Sequence, residues 1–232
     1  MNIRDVIPAR YRYSLSNIKH KIFGYRTYSQ CGEDIELLKL FTGRVTGTYV
    51  DVGAHHPKRY SNTYLLHVQG WCGINIDPDP NAMALFKKAR PHDKNIECGI
   101  AAKEGDLTYY SFSDPAVNTF VEKEAKRWMN KDWLKFLGTR SIAVRPLSSV
   151  LYEHALDKPI DLLSVDAEGM GLEVLKSNDW TRWTPKIIVV EDDVRTYLEE
   201  KGYYMYRECG LSNIYVHSSF KEGIFDAVSK VV

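Results

Sequence analysis

The chain, 232 residues long, reads as one α/β domain built on a mostly parallel sheet. Three stretches predict this, each a short apolar strand that ends on an acid and leads toward a helix. They are Thr48–Pro80 (TYVDVGAHHPKRYSNTYLLHVQGWCGINIDPDP), Ile160–Gly169 (IDLLSVDAEG) and Lys186–Asp193 (KIIVVEDD). Apolar, β-rich runs joined through helices imply parallel neighbours, and ligands in such sheets lie outside the carboxyl ends of the strands.

Taken in order, residues 1–27 form a basic arm. Arg4, Arg10, Arg12, Lys19, Lys21 and Arg26 face one acid, Asp5. Such an arm is either a solvated surface or a patch that meets phosphate, an acidic glycan or an anionic membrane. Residues 28–232 form the single domain. Tyr28 to Asp34 is a polar entry to an amphipathic helix through Phe41, with Gln30 and Glu33 placed near the first strand's ligand end. Tyr49–Val52 is the first strand, and Ser61 caps a helix to Gln69. Gly73–Ile76 is the second strand, Asn81–Lys88 a helix, Asn95–Ala101 a third strand and Leu107–Phe112 a fourth. Residues 113–139 lack strand alternation and are long enough for a lid or substrate-binding insertion. Its Trp128 and Trp133 serve equally as core or as dimer contacts, so a homo-oligomer stays open. Ser141–Val144 resumes as strand, and Ser148 caps a helix to Leu156. Helices follow Gly169 and Asp193, and Tyr203–Arg207 with Asn213–His217 forms an antiparallel hairpin that closes the sheet.

The bulk numbers exclude several classes. A net charge of +1 gives no global attraction to nucleic acid. No apolar run approaches the length of a membrane span, and the N-terminus lacks a signal peptide's apolar core, so a soluble cytoplasmic protein is expected. The four cysteines have no C-x-x-C spacing, which favours buried free thiols over a zinc site or a disulfide framework.

Gly53 ends the first strand, where a residue without a Cβ lets the backbone approach a ligand. Asp77 lies 24 residues further on, near the distance at which an acid meets ribose hydroxyls. Ala54, His55, His56, Pro57 and Lys58 follow Gly53, so the dinucleotide pattern G-x-G-x-x-G is missing. One glycine and one acid suit a single nucleoside without a pyrophosphate, such as S-adenosylmethionine, and disfavour a dehydrogenase or epimerase. At the other strand ends, Asp166 and Glu191 converge if their strands are neighbours, which places them about 5 Å apart. Glu168 and Asp192 crowd the same rim. Clustered carboxylates repel, which a hard divalent ion such as Mg²⁺ or Mn²⁺ relieves. Alternatively, Asp166 and Asp193 are helix N-caps and the other acids are solvated. The adjacent His55-His56 pair is a poor metal site, and Tyr197 with Lys201 is a surface i, i+4 pair.

Together YSQCGEDIELL, YVDVGAHHP with SNTYLL, GWCGINIDPDP, DPAVNTF, IDLLSVDAEGMGLEVLKSNDW and PKIIVVED resemble the FkbM branch of the S-adenosylmethionine-dependent methyltransferases. The resemblance spans most of the chain. It implies a Rossmann-like class I fold, with a seven-stranded, mostly parallel sheet, one antiparallel strand and helices on both faces. It implies O-methylation, often of sugars, here a small-molecule sugar, a nucleotide-activated sugar or a capsule or lipopolysaccharide precursor. By the same resemblance, Asp51, Gly53 and Ala54 face the methionine end of the cofactor and Asp77 the ribose. Gln30, Asn62 and Pro78, which lie in or beside the matched segments, join the cofactor site. A divalent ion falls to Asp166 with Glu191 or Asp192, and the proton to Glu168. Many members carry Glu-x-His where this chain has Glu191-Asp192-Asp193. A methyltransferase acting on a lipid, peptide or small acid is the alternative, as is a non-catalytic nucleotide-binding domain.

Overall fold

The computed structural model describes residues 26–154 and 158–220; most of the basic arm lies outside them. After helix α1 (Glu33–Leu40), strand β1 (Thr48–Val52) begins the main sheet. Helix α2 (Tyr64–Val68), β2 (Cys72–Ile76), α3 (Pro80–Ala89) and β3 (Lys94–Ile96) follow. Further along come β7 (Leu162–Val165), α6 (Gly171–Lys176), β8 (Ile187–Val190), α7 (Arg195–Glu200) and the hairpin β9 (Tyr203–Cys209) and β10 (Ser212–His217). These strands form a seven-stranded sheet in the order β3-β2-β1-β7-β8-β10-β9. All are parallel except β10, which runs antiparallel to both β8 and β9.

The continuous apolar runs follow from burial on both faces. Every residue of β7 (LLSV) and β8 (IIVV) is buried, as expected where helices cover both sides of a parallel sheet. Strand alternation divides the side chains between two cores. Val50, Val52, Leu163, Val165, Ile188 and Val190 pack toward α6, α7 and α5 (Leu147–Glu153). Tyr49, Leu162, Ile187 and Val189 face the other way, toward Leu37 and Leu40 of α1 and Leu66 of α2.

Between β3 and β7 the chain leaves this sheet. The run Asn95–Ala101, expected as one strand, is two: β3 ends at Ile96, and β4 (Gly99–Ile100) belongs to a separate three-stranded sheet. That sheet has the order β4-β6-β5, with β5 (Gly105–Phe112) antiparallel to β6 (Phe136–Arg145). The insertion between them holds a 3₁₀ turn (Pro115–Val117) and helix α4 (Glu122–Met129), so Phe136–Thr139 is strand rather than loop.

Two expected caps are filled from a distance. The helix expected from Ser61 starts at Tyr64, because the Ser61 hydroxyl accepts a hydrogen bond from the Arg90 guanidinium at 3.0 Å. At α5, Ser148 is inside the helix, and the Ser177 hydroxyl accepts from the Leu147 N–H at 2.9 Å. Asp166 and Asp193 are not caps either, since α6 and α7 begin behind Met170 and Val194.

Candidate active site

The main sheet reverses its winding between β1 and β7: β2 and β3 lie on one side of β1, and β7 and β8 on the other. The carboxyl ends at such a switch point are where an open α/β sheet binds its ligand. A cleft opens there, lined by Gln30, Gly53, Asp77, Pro78, Asp166 and Glu168 among others.

Gly53 follows β1 with φ +75°, and a Cβ on it would lie 1.9 Å from the Asp166 carbonyl oxygen. Its bareness therefore lets β1 and β7 close up at the switch point, where Gly53 also lines the cleft. The Gly53 and Ala54 N–H groups donate to the Ile76 carbonyl at 2.9 and 3.1 Å, folding the turn over the end of β2. This aims the His55 N–H at Asp77 Oδ2 (2.8 Å), while the Asp79 N–H donates to Asp77 Oδ1 (2.8 Å). Burial raises the Asp77 carboxyl to about 6, against the lowering effect of those two N–H groups. Each carboxylate oxygen still has accepting capacity for a hydroxyl.

A pH dependence follows. Burial leaves the Asp77 carboxyl protonated below about pH 6, and a proton on it removes one of the two places where a ribose, if Asp77 holds one, would donate its hydroxyl hydrogens. S-adenosylhomocysteine affinity is expected to fall as pH drops through 6. Asp77→Ala should lose about tenfold at neutral pH and flatten the profile. Isothermal titration across pH 5–8 reads both, and a wild-type affinity in Asp77→Ala would exclude the ribose role.

Three residues expected at the cofactor are not among those lining the cleft. Asp51 points to the opposite face of β1 from the cleft-lining Val52, where its Oδ2 accepts from the Thr63 hydroxyl at 2.7 Å. Asn62 donates to the Ser164 hydroxyl (3.3 Å) on the same polar layer. Ala54 packs with Ala82, Met83 and Phe86. Glu33 is also buried away from the cleft, accepting from the Cys31 N–H at 2.8 Å.

The acids after β7 and β8 do meet. Pairing of Val165 with Val190 sets Asp166 beside Glu191. The chain then turns back at Glu168 (φ +40°) and Gly169 (φ +89°). As a result Asp166, Glu168 and Glu191 each offer a carboxylate oxygen within 4.8 Å of the others. Asp192 departs from this group: its Oδ2 accepts from the Gly171 N–H at 2.5 Å, at the start of α6. A positive φ at a glutamate is strained, and such strain collects at functional sites. The insertion braces the loop, because the Thr119 hydroxyl donates to the Glu168 carbonyl at 2.8 Å.

Among the described residues the His55-His56 pair joins no cluster of three or more metal-ligating side chains, and its rings lie 6.4 Å apart. His56 Nδ1 accepts from the Lys58 and Arg59 N–H groups, and burial, then the Arg59 guanidinium, push His55 down to about 3. Sequence reasoning missed His55, Tyr60, Tyr109 and the segment 98–100 as cleft walls. The positive φ of His55 and Tyr60 bends their loop over the cleft, and no local sequence signal marks it. The DPAVNTF segment was a signal, and its Pro115 to Phe120 supplies part of the wall.

The sheet order and the cleft at its switch point define a class I, Rossmann-like methyltransferase domain. The chain belongs to the FkbM methyltransferase family, whose domain matches residues 51–205. A curated relative, Methyltransferase sdnD of Sordaria araneosa, is 29% identical over 143 residues, 50% of this chain and 55% of the relative. The chain thus spans about half the length of the curated relative it matches. No solved structure matches it. Among the described residues no helix is long and apolar enough to cross a membrane.

Proposed function

We propose that the protein transfers a methyl group from S-adenosylmethionine to a sugar hydroxyl, with a divalent ion at the acid cluster. The observation that carries the reading is the convergence of Asp166, Glu168 and Glu191 beside the cleft lined by Gly53 and Asp77. Gly53 and Asp77 suit a nucleoside: a ribose can hydrogen-bond Asp77, and the two backbone turns above β1 and β2 leave room without a pyrophosphate-binding glycine loop. S-adenosylmethionine supplies the electrophilic methyl on its sulfonium sulfur.

The donor set fits a hard ion. It is all oxygen, with three carboxylate oxygens within 4.8 Å of one another, the donor type a hard divalent ion prefers. Asp166 and Glu191 would hold the ion, which supplies Lewis acidity to a neighbouring hydroxyl. Glu168, two residues beyond Asp166, would accept the hydroxyl proton, so that the oxygen could take the methyl group with S-adenosylhomocysteine as the leaving group. Its strained backbone and the Thr119 brace keep that carboxylate on the rim. Gln30 and Pro78 line the wall, where they would orient the cofactor. An acid cluster at the strand ends suits a polyhydroxyl acceptor, since vicinal hydroxyls can reach the ion and the base together.

The test incubates the protein with S-adenosylmethionine, a metal ion and panels of nucleotide-sugars, lipids, peptides and small acids, and follows a mass gain of one CH₂. Methylation of a sugar hydroxyl supports the reading. Methyl gain confined to a carboxylate, lipid or peptide replaces the sugar with that acceptor. Stabilisation by S-adenosylhomocysteine with no acceptor turning over would favour a non-catalytic binding domain.

A further inference from the structure

At the end of the main sheet opposite the cleft, strands β1, β2, β3, β7 and β8 begin along one rim. Register sets Thr48 between Cys72 and Asp161, and Asp161 beside Lys186, while Lys94 starts β3 across from Ile74. A groove of about 650 Å³ lies on this rim, within the size range of small-ligand sites. Six basic side chains line it, Arg44, His92, Lys94, His154, Lys158 and Lys186, together with one acid, Asp161. With the histidines neutral, the lining carries a formal charge of +3.

The cations are held in place, but a single carboxylate offsets them. Asp161 Oδ1 accepts from Arg44 Nη1 (2.9 Å) and from Lys186 Nζ (2.8 Å), while Oδ2 takes the Thr48 N–H (2.9 Å). Arg44 also lies over the rings of Phe41 and Trp71, and Lys186 over that of Phe220. Lys94 donates to the His154 carbonyl (2.6 Å), a neutral acceptor that leaves its charge uncancelled. Lys158 and His92 are exposed. The neighbouring acids are engaged elsewhere. Asp93 accepts from the Gly73 N–H (3.1 Å) and the Asn75 amide (3.0 Å), and Glu153 takes Arg145 (2.5 Å) with its other oxygen 3.9 Å from His154 Nε2. Cations fixed in this surplus hold a positive potential over the groove, and guanidinium and ammonium donors suit phosphate oxygens.

We propose that this groove binds a short run of phosphates, as carried by a nucleoside triphosphate or by free tripolyphosphate. From Lys94 to Lys186 the rim crosses four strand spacings, roughly 19 Å, which is wider than a single phosphate fills. A net charge of +1 gives the chain no extended field of the kind that nucleic acid requires. The five residues of β1 separate groove from cleft by roughly 16 Å, so the site is distinct from the one that holds the acid cluster. It does not rest on the sugar reading.

The experiment uses the full chain with tripolyphosphate and ATP as probes, and inorganic phosphate as the single-anion control. Two thiols report where the anion sits: Cys72 is exposed and lines the groove, whereas Cys98 lines the cleft. Both probes should slow maleimide labelling of Cys72, read peptide by peptide in a mass spectrometer, and leave Cys98 unchanged. Phosphate should protect less, and salt should weaken all protection. Lys94→Glu combined with Lys158→Glu, both at exposed positions, should lower affinity about tenfold or more, as expected for lost charge-assisted bonds. Lys158→Glu alone, which breaks no hydrogen bond of a strand, should lower it in the same direction. Equal affinity for the two probes would make the phosphates the whole ligand, and tighter ATP binding would add the nucleoside to it. Four results overturn the proposal. One is no protection of Cys72 by either probe. Another is protection of Cys98 in place of Cys72, which puts the anion in the cleft. A third is affinity that both variants leave unchanged, which moves the contact to the basic N-terminal arm. The last is a single-stranded RNA that displaces tripolyphosphate and binds more tightly.

Discussion

Glu168→Gln is expected to lower turnover by about 10²–10⁴-fold while leaving S-adenosylhomocysteine affinity as it is. Glutamine keeps the shape and the strained turn but cannot accept the proton that a sugar hydroxyl must lose. Asp166→Asn should lose as much activity for a different reason, because it removes a charged oxygen donor from the cluster of Asp166, Glu168 and Glu191. The two separate in a metal titration. After chelation, wild type and Glu168→Gln should respond to added Mg²⁺ or Mn²⁺, each to its own ceiling, whereas Asp166→Asn should respond weakly or not at all. Asp192→Asn should leave the metal response intact, since Asp192 is spent on the Gly171 N–H. Full wild-type activity in excess EDTA would sink the metal part and leave Glu168 as a lone general base.

The largest expected effect on stability is at Arg90, which is buried behind the loop of residues 57–63. Its guanidinium donates to Thr63 Oγ1 (2.9 Å), Ser61 Oγ (3.0 Å), Tyr49 Oη (3.3 Å) and the Pro57 carbonyl. Thr63 in turn donates to the buried Asp51, whose carboxyl is raised by burial and held back partly by the Arg90 charge. Arg90→Ala removes the positive charge from this layer and unties the loop of residues 57–63 from the sheet. A loss of about 3–5 kcal/mol is expected, as for other buried charges deprived of a partner. Urea denaturation measures it. Arg90→Lys should recover only part of the loss, because an ammonium cannot reach so many acceptors from one planar fork. A midpoint within error of wild type would show that the layer contributes little.

Much of the architecture was legible because burial on both faces forces uninterrupted apolar strands. LLSV and IIVV carry that signal without help from distant residues, and the acids that end them follow from position alone. The antiparallel hairpin and the convergence of Asp166 with Glu191 were legible for the same reason. What escaped the sequence depends on partners far along the chain. Ser61 looks like a cap until Arg90 occupies its hydroxyl, and Ser148 looks like one until Ser177 does the work. Asp51 and Asn62 face the polar layer rather than the lining of the cleft, a distinction that needs the register of Asp51 with Asn75 and Ser164. The choice of Glu168 and Glu191 over Asp192 rests on backbone angles after the strands, which neighbouring acids do not reveal. The run Asn95–Ala101 has strand character throughout, and nothing in it announces that its two halves join different sheets.

That change of sheet gives the cleft two walls with separate foundations. One wall, from Gly53 to Asp77 and on to Asp166, belongs to the seven-stranded frame. The other, from Cys98 through Tyr109 to Phe120, hangs on the three-stranded sheet and its insertion. The second wall can be rebuilt without disturbing a single strand pairing of the first. Residues 97–145 therefore pair apart from the frame, and exchanging them for those of a relative is expected to alter this second wall while the seven-stranded pairing stays the same.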